Sequence, residues 1–274
     1  MKITTPFKAV SEFEKELKDF AQKHRITLAE HSKRISDYFE MSCYSLIIRY
    51  YIKKGYILEV NNLIGGKFKF KCSTLGFIEN FSYFKASKVG PDKNVESVYI
   101  FHNATVQSAH DKDVFTTPDI VVSKSDKPSI STSYYMSSKM KMTYISNDNL
   151  VSFCEVKNYK PFPELMVSFT GTVNELKPIC LCNDWDGNVC DHIAPSLMMS
   201  GTFGKQTKKI KDSLEGRYYI NFFDNLFENE SVKQFFSKTQ VNKLATLGRR
   251  SVKDETSIFT KTLPVGLKKI LDEI

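Results

Sequence analysis

Two short apolar segments carry charged residues whose types and spacing could support metal chemistry. The segment LVSFCEVKN, residues 150–158, places Glu155 and Lys157 two residues apart. In a strand, the period of two puts both side chains on one face of a sheet. The upstream segment TTPDIVV, residues 116–122, places Asp119 at the start of another apolar run. We expect neighbouring strands to bring Asp119 beside Glu155.

Two converging carboxylates repel each other, and the repulsion raises their pKa values unless a cation lies between them. Mg²⁺ is often held by one or two carboxylates together with waters and a substrate phosphate. We therefore expect Asp119 and Glu155 to bind Mg²⁺ or Mn²⁺, and Lys157 to orient or polarise a water beside a phosphate. Carboxylates more than roughly 8 Å apart could not share such an ion.

The Glu155-Val156-Lys157 tripeptide has little value alone. Glu16-Leu17-Lys18 has the same letters but lies in a segment with the spacing of an amphipathic helix. A salt bridge would also explain an acid and a base at a strand end. The upstream acid in its own apolar segment is what makes the pattern specific.

The elements that must position these residues alternate along the chain. Apolar spacing predicts a helix at residues 7–24, and a capping box at Thr27 and Glu30 predicts a second helix that ends at Gly55. Strands are predicted in the segments YILEV, KFKFKC and SVYIFHNATVQSA, and later in HIAPSLMMSG and YYINFF. This alternation predicts an α/β domain with helices packed on a central sheet.

Composition limits the class of protein. The chain has 274 residues, 41% of them hydrophobic, which is enough for a substantial core and excludes a disordered or fibrous class. No run of about 18 apolar residues occurs, so no membrane partner is expected. The net charge of +8 favours a polyanionic partner such as nucleic acid. Six cysteines without an export signal are expected to be thiols or metal ligands, and a cytoplasmic location is expected.

The order of these motifs resembles that of the PD-(D/E)xK nuclease superfamily, which has the restriction-endonuclease-like fold. The resemblance is carried by Pro118-Asp119, by Glu155-Val156-Lys157, and by the helical segment SDYFEM, residues 36–41, ahead of a strand. It covers about residues 27–177. It implies a mixed central sheet flanked by helices, in a nuclease domain at residues 1–228 with N-terminal helices. A helical, charged C-terminal tail is expected at residues 229–274.

The resemblance also implies the role of each site residue. Asp119, Glu155 and the main-chain carbonyl of Val156 would bind the metal, Lys157 would assist the water nucleophile, and Glu40 would complete the site directly or through water. Asp37, one turn before Glu40, is the alternative acid. Since 35 residues separate Asp119 from Glu155, the excursion at residues 123–148 has to loop out of the sheet.

The implied activity is metal-dependent hydrolysis of DNA phosphodiester bonds. An inactive binding or assembly module of the same fold and an RNA-directed nuclease remain the alternatives. We expect such a protein to act as an effector in a defence system. A homodimer or a partner protein in a defence complex fits the same setting.

A cluster of soft ligands lies further along the chain. Cys180, Cys182, Cys190 and His192 fall within thirteen residues and offer the donors of a zinc site. The C-x-C spacing disfavours zinc, because it points alternate side chains apart along a strand. We expect structural thiols at this position.

Overall fold

The structure is a computed structural model that describes residues 35–72, 76–90, 92–182, 185, 187–226 and 238–252, with residues 18, 19, 22, 27 and 28. The helix predicted at residues 7–24 lies almost entirely outside the described residues. The domain boundary predicted at residue 228 lies outside them too.

Helices and strands alternate along the described chain. The helices are α1 (Ile35–Lys53), α2 (Thr132–Ser138), α3 (Pro163–Leu176), α4 (Lys205–Arg217) and α5 (Lys238–Val241). The strands are β1 (Thr27–Leu28), β2 (Ile57–Asn61), β3 (Lys67–Phe68), β4 (Tyr83–Val89), β5 (Val95–His102), β6 (Val106–Gln107), β7 (Phe115–Thr116), β8 (Ile120–Ser123), β9 (Ser129–Ile130), β10 (Thr143–Tyr144), β11 (Leu150–Lys157), β12 (Ser196–Met199) and β13 (Asn221–Phe223).

A mixed seven-stranded sheet forms the centre of the protein, in the order β13-β12-β11-β8-β5-β4-β2. The pairs from β2 to β11 are antiparallel, whereas β11, β12 and β13 run parallel. The parallel strands are joined through α3 and α4, because a parallel connection needs a crossover of this length. The predicted α/β class is therefore confirmed.

Helix α1 begins later than its capping pattern predicts. Thr27 and Leu28 pair in parallel with Lys67 and Phe68, so the predicted helix start at Thr27 is wrong. The backbone of Thr27 pairs with β3, so its polar groups find partners in a strand and do not serve as a helix cap. The predicted stop is confirmed, since α1 ends at Lys53 and Gly55 adopts a φ of 86°.

Helices cover both faces of the sheet. Phe222 of β13 contacts Phe169 of α3, with ring centroids 5.6 Å apart. Phe223, the next residue, lines an apolar cavity with Leu46 and Ile47 of α1. Because neighbouring side chains of a strand point to opposite faces, α1 and α3 lie on opposite sides of the sheet.

The long segment between β8 and β11 leaves the sheet as its spacing requires. β8 and β11 pair directly with each other, while β9 and β10 form their own two-stranded sheet and α2 lies between them. Ser131 caps α2 by accepting a hydrogen bond from the Tyr134 amide. The excursion therefore does not interrupt the pairing that the site needs.

The described part of the C-terminal region packs on the same core. Val241, Ala245 and Leu247 are buried, and the Ala245 carbonyl accepts hydrogen bonds from Ala194 and Asn221. None of the helices in the described residues is long and apolar enough to cross a membrane.

We expect Gly201→Ala to destabilise the fold, with Gly171→Ala as its matched control. A Cβ at Gly201 would lie 2.6 Å from the Lys160 Cα, and the backbone cannot yield cheaply there. The expected loss is about 2 kcal/mol of unfolding free energy. Gly171 is exposed within α3 and has open space for a methyl group. Alanine there should increase the unfolding free energy by about 0.5–1 kcal/mol, because it favours the helix more than glycine does. Urea unfolding measures both, and equal effects of the two changes would contradict the packing described.

Candidate active site

The antiparallel pairing of β8 with β11 brings the two predicted carboxylates together. Cys154 pairs with Ile120, so the next position on each strand is occupied by Glu155 and Asp119. The Val156 amide donates a hydrogen bond to Asp119 Oδ2 at 2.6 Å. Asp119 is thus bound to the backbone of the strand that carries Glu155.

Lys157 lies between the two carboxylates. Its Nζ donates to Glu155 Oε2 at 2.7 Å and to Asp119 Oδ2 at 3.3 Å. The two oxygens cannot be further apart than the sum of these distances, which is below the roughly 8 Å that would exclude a shared ion. The side chains are partly buried, with 14% of Asp119, 16% of Glu155 and 29% of Lys157 exposed. The three residues form one enclosed group of charges.

Burial and mutual charge shift the pKa values of this group. Burial raises the pKa of the Asp119 carboxyl, against the opposing effects of the Lys157 charge and the Val156 amide. Burial also raises the pKa of Glu155, and the nearby Asp119 charge adds to it. Burial alone would lower the pKa of Lys157, but the two carboxylates overcome this and raise it. Lys157 therefore stays protonated as the counterion of both acids.

Glu40 approaches the same group from α1. Its Oε2 accepts a hydrogen bond from Asn103 Nδ2 at 3.2 Å and lies 3.7 Å from His102 Nε2. Burial and, after it, the charge of Asp119 raise the pKa of Glu40 to about 7, against the hydrogen bond from Asn103. Asp37, the alternative acid, is buried one turn earlier and its charge contributes to the same shift. Glu40 thus lies close enough to Asp119 and Lys157 for their charges to shift its pKa, while its direct contacts are with Asn103 and His102.

Asn103 connects the elements that carry the site, and the sequence analysis missed it. Its backbone amide donates to the Asp119 carbonyl at 2.8 Å. Its side-chain amide donates to Glu40 and, at 2.9 Å, to the Lys71 carbonyl. Its own carbonyl accepts from Lys71 Nζ at 2.7 Å. One residue therefore fixes α1 and β8 relative to the end of β5.

A weak signal for Asn103 is present in the sequence. Strand β5 ends at His102 and Asn103 follows it, and both of these polar side chains are buried. Asn103 has a φ of 52°, a left-handed conformation that asparagine tolerates better than most residues. Polar residues that end a buried strand next to predicted catalytic strands would have identified it.

The oxygen donors of the site fit a hard divalent cation that keeps part of its water shell. Asp119 and Glu155 carry two negative charges against the single positive charge of Lys157, which leaves an excess of negative charge in a partly buried place. No group of three or more His, Cys, Asp and Glu side chains with metal-binding geometry occurs within the described residues. Mg²⁺ needs only one or two carboxylates when waters and a phosphate supply the rest.

The cysteine cluster does not form a closed ligand set in the described part of the chain. Cys180 is buried, Cys182 is exposed and Cys190 lies between these extremes. His192 turns towards other partners, since its Nδ1 lies 3.4 Å from the Tyr51 hydroxyl and its Nε2 lies 2.5 Å from Glu96 Oε1. Zinc at this position remains the less favoured interpretation.

Comparisons with known proteins add nothing to this geometry. No family model, curated protein or solved structure matches the chain.

We expect Glu40→Gln to stabilise the metal-free protein at alkaline pH. The pKa of Glu40 is about 7 in the native state and 4.5 in the unfolded chain, so the native state binds this proton more tightly. The unfolding free energy therefore falls as the pH rises from 4.5 towards 7. Glutamine keeps an acceptor for Asn103 and removes this dependence. Above about pH 8 the variant should be more stable by about 2 kcal/mol.

Urea unfolding at about pH 5 and pH 8, with a chelator present, measures this difference. Glu59→Gln is the matched control, because Glu59 is exposed on the edge strand β2. A Glu40→Gln variant whose stability relative to wild type is the same at both pH values would contradict the assignment.

We expect Mg²⁺ or Mn²⁺ to stabilise the wild-type protein through Asp119. Binding to the native state alone adds about 2.7 kcal/mol when free metal exceeds its Kd a hundredfold. Asp119→Asn should abolish the rise in Tm that metal produces relative to chelator, whereas Glu59→Gln should keep it. Scanning calorimetry checks this without any substrate. A full metal-induced rise in Asp119→Asn would exclude Asp119 as a ligand.

Proposed function

We propose that this chain is a metal-dependent endonuclease that hydrolyses DNA phosphodiester bonds and has the restriction-endonuclease-like fold. The observation that carries the proposal is the convergence of Asp119 and Glu155, from paired antiparallel strands, on the ammonium of Lys157. A mixed sheet covered by helices on both faces is consistent with that fold. The net charge of +8 supports a polyanionic substrate.

The proposal gives each residue a distinct task. Asp119, Glu155 and the Val156 carbonyl would hold Mg²⁺ or Mn²⁺. When bound, such an ion lowers the pKa of its water and offsets charge on the phosphate oxygens. Lys157 would contact the attacking water or a phosphate oxygen, where its fixed positive charge stabilises the negative charge that develops during attack.

Glu40 would act beside these groups as an acid whose charge varies near neutral pH. Its carboxyl accepts a hydrogen bond from Asn103 and lies 3.7 Å from the His102 ring nitrogen. With a pKa of about 7, it can accept a proton from water or exist as the neutral acid under ordinary conditions. This assigns to Glu40 the exchange of protons with solvent-derived water and to Asp119 and Glu155 the fixed charge.

The test is nicking of supercoiled plasmid DNA by purified wild type and by Asp119→Ala, Glu155→Gln and Lys157→Ala. We expect Mg²⁺- or Mn²⁺-dependent nicking by the wild type and a loss of about a hundredfold or more in each variant. Lys85→Ala is the matched control, because Lys85 is a lysine of similar exposure on β4 that pairs only with Glu59 among the salt bridges described.

Single-stranded and duplex RNA are offered in the same assay. Cleavage of RNA without cleavage of DNA would make the protein an RNA-directed nuclease with the same site. Products that are the same for wild type and all three site variants, with and without metal, would remove the catalytic assignment and leave a binding module.

A further inference from the structure

Two half-exposed aromatic rings follow the proposed catalytic lysine directly. Tyr159 and Phe162 lie in the loop between β11 and α3, two and five residues after Lys157. Tyr159 is 41% exposed and Phe162 is 44% exposed. Their rings are stacked with an interplanar angle of 27° and a centroid distance of 5.9 Å. We call this pair the aromatic platform.

The backbone beneath the aromatic platform is fixed by the neighbouring strand. The Gly201 amide donates to the Tyr159 carbonyl at 3.3 Å, and the Ser200 amide donates to the Lys157 carbonyl at 3.2 Å. Gly201 packs so closely on Lys160 that no Cβ fits between them. The rings are therefore presented in a defined place before any ligand arrives, which lowers the entropic cost of binding.

Exposed lysines lie in the chain segments that adjoin the aromatic platform, together with the exposed Glu164 at the start of α3. Lys160, which lies between the two aromatic residues in the sequence, is exposed. The loop that Gly201 begins leads into α4, whose first two turns carry exposed Lys205, Lys208 and Lys209. Exposed rings beside lysines form the combination that binds unpaired nucleic acid, since the rings stack on bases and the lysines neutralise phosphates.

We propose that Tyr159 and Phe162 stack on an unpaired base next to the scissile phosphate, so that the substrate is an unpaired strand or an unpaired segment of DNA. In a duplex the faces of the bases are covered by neighbouring base pairs, and the rings could not reach them. The location of the scissile phosphate rests on the proposed function. The stacking itself can be measured without cleavage.

The experiment measures fluorescence anisotropy of a labelled single-stranded oligothymidylate bound by the full chain in the presence of a chelator. An abasic strand of the same length is the second probe, because it carries the same phosphates without bases. We expect the double variant Tyr159→Ala/Phe162→Ala to bind oligothymidylate about tenfold or more weakly than wild type, and to bind the abasic strand equally well.

Conservative and matched variants exclude indirect effects. Tyr159→Phe and Phe162→Tyr keep the rings and should bind like wild type. Tyr135→Ala removes an exposed ring of the same accessibility on α2 and should leave affinity unchanged. Unlabelled single strand should displace the probe at a lower concentration than duplex of the same sequence.

Two results would overturn the inference. One is a double variant that binds both probes as wild type does, and the other is an equal loss of affinity for both probes. Plasmid and single-strand cleavage is measured separately with metal. If the protein never cleaves but the double variant loses affinity only for the strand with bases, the proposed function is refuted and the aromatic platform is supported. If metal-dependent cleavage occurs but the double variant binds both probes like wild type, the proposed function is supported and the aromatic platform is refuted.

Discussion

The antiparallel pairing of β8 with β11 determines where Asp119, Glu155 and Lys157 lie relative to one another. Because side chains alternate along a strand, a slip of one residue would turn Glu155 and Lys157 to the other face. It would also break the hydrogen bond from the Val156 amide to Asp119. Core packing prevents such a slip, since all four residues of β8 and the first five of β11 are buried. The apolar halves of the two strands thus fix the geometry of their polar ends.

Electrostatics explain why the polar ends can exist without a metal. Removing one partner of a buried ion pair costs about 3–5 kcal/mol, because the other charge is left uncompensated. Lys157 is the counterion of both Asp119 and Glu155, so neither carboxylate is left without a positive partner. The single positive charge of Lys157 cannot balance two negative charges. The raised pKa of Glu40 then has a simple consequence. A proton on Glu40 spares the site a third negative charge, and a divalent cation would favour release of that proton.

The sequence predicts the elements with strong local patterns and misses those decided by distant contacts. The apolar run after Asp119 identifies β8, the apolar run before Glu155 identifies β11, and Gly55 identifies the end of α1. The alternating KFKFKC segment predicts a strand over residues 67–72. Instead β3 ends at Phe68, and Lys71 is 1% exposed and bound to the Asn103 carbonyl. No local pattern could predict this, because Asn103 lies 32 residues away.

The mixed direction of the sheet explains why the residues of the candidate active site lie at one end of the strands. β11 and β12 run parallel, so Lys157 and Met199 are paired and both strands end at the same edge. β8 runs the opposite way, so its first residues, next to Asp119, lie at the edge where β11 ends. Loops that follow parallel strands are the usual place for ligands in such sheets. The change of direction between β8 and β11 therefore places Asp119, at the start of β8, next to Glu155 and Lys157, at the end of β11. The aromatic platform follows directly after β11 and lies in the same region.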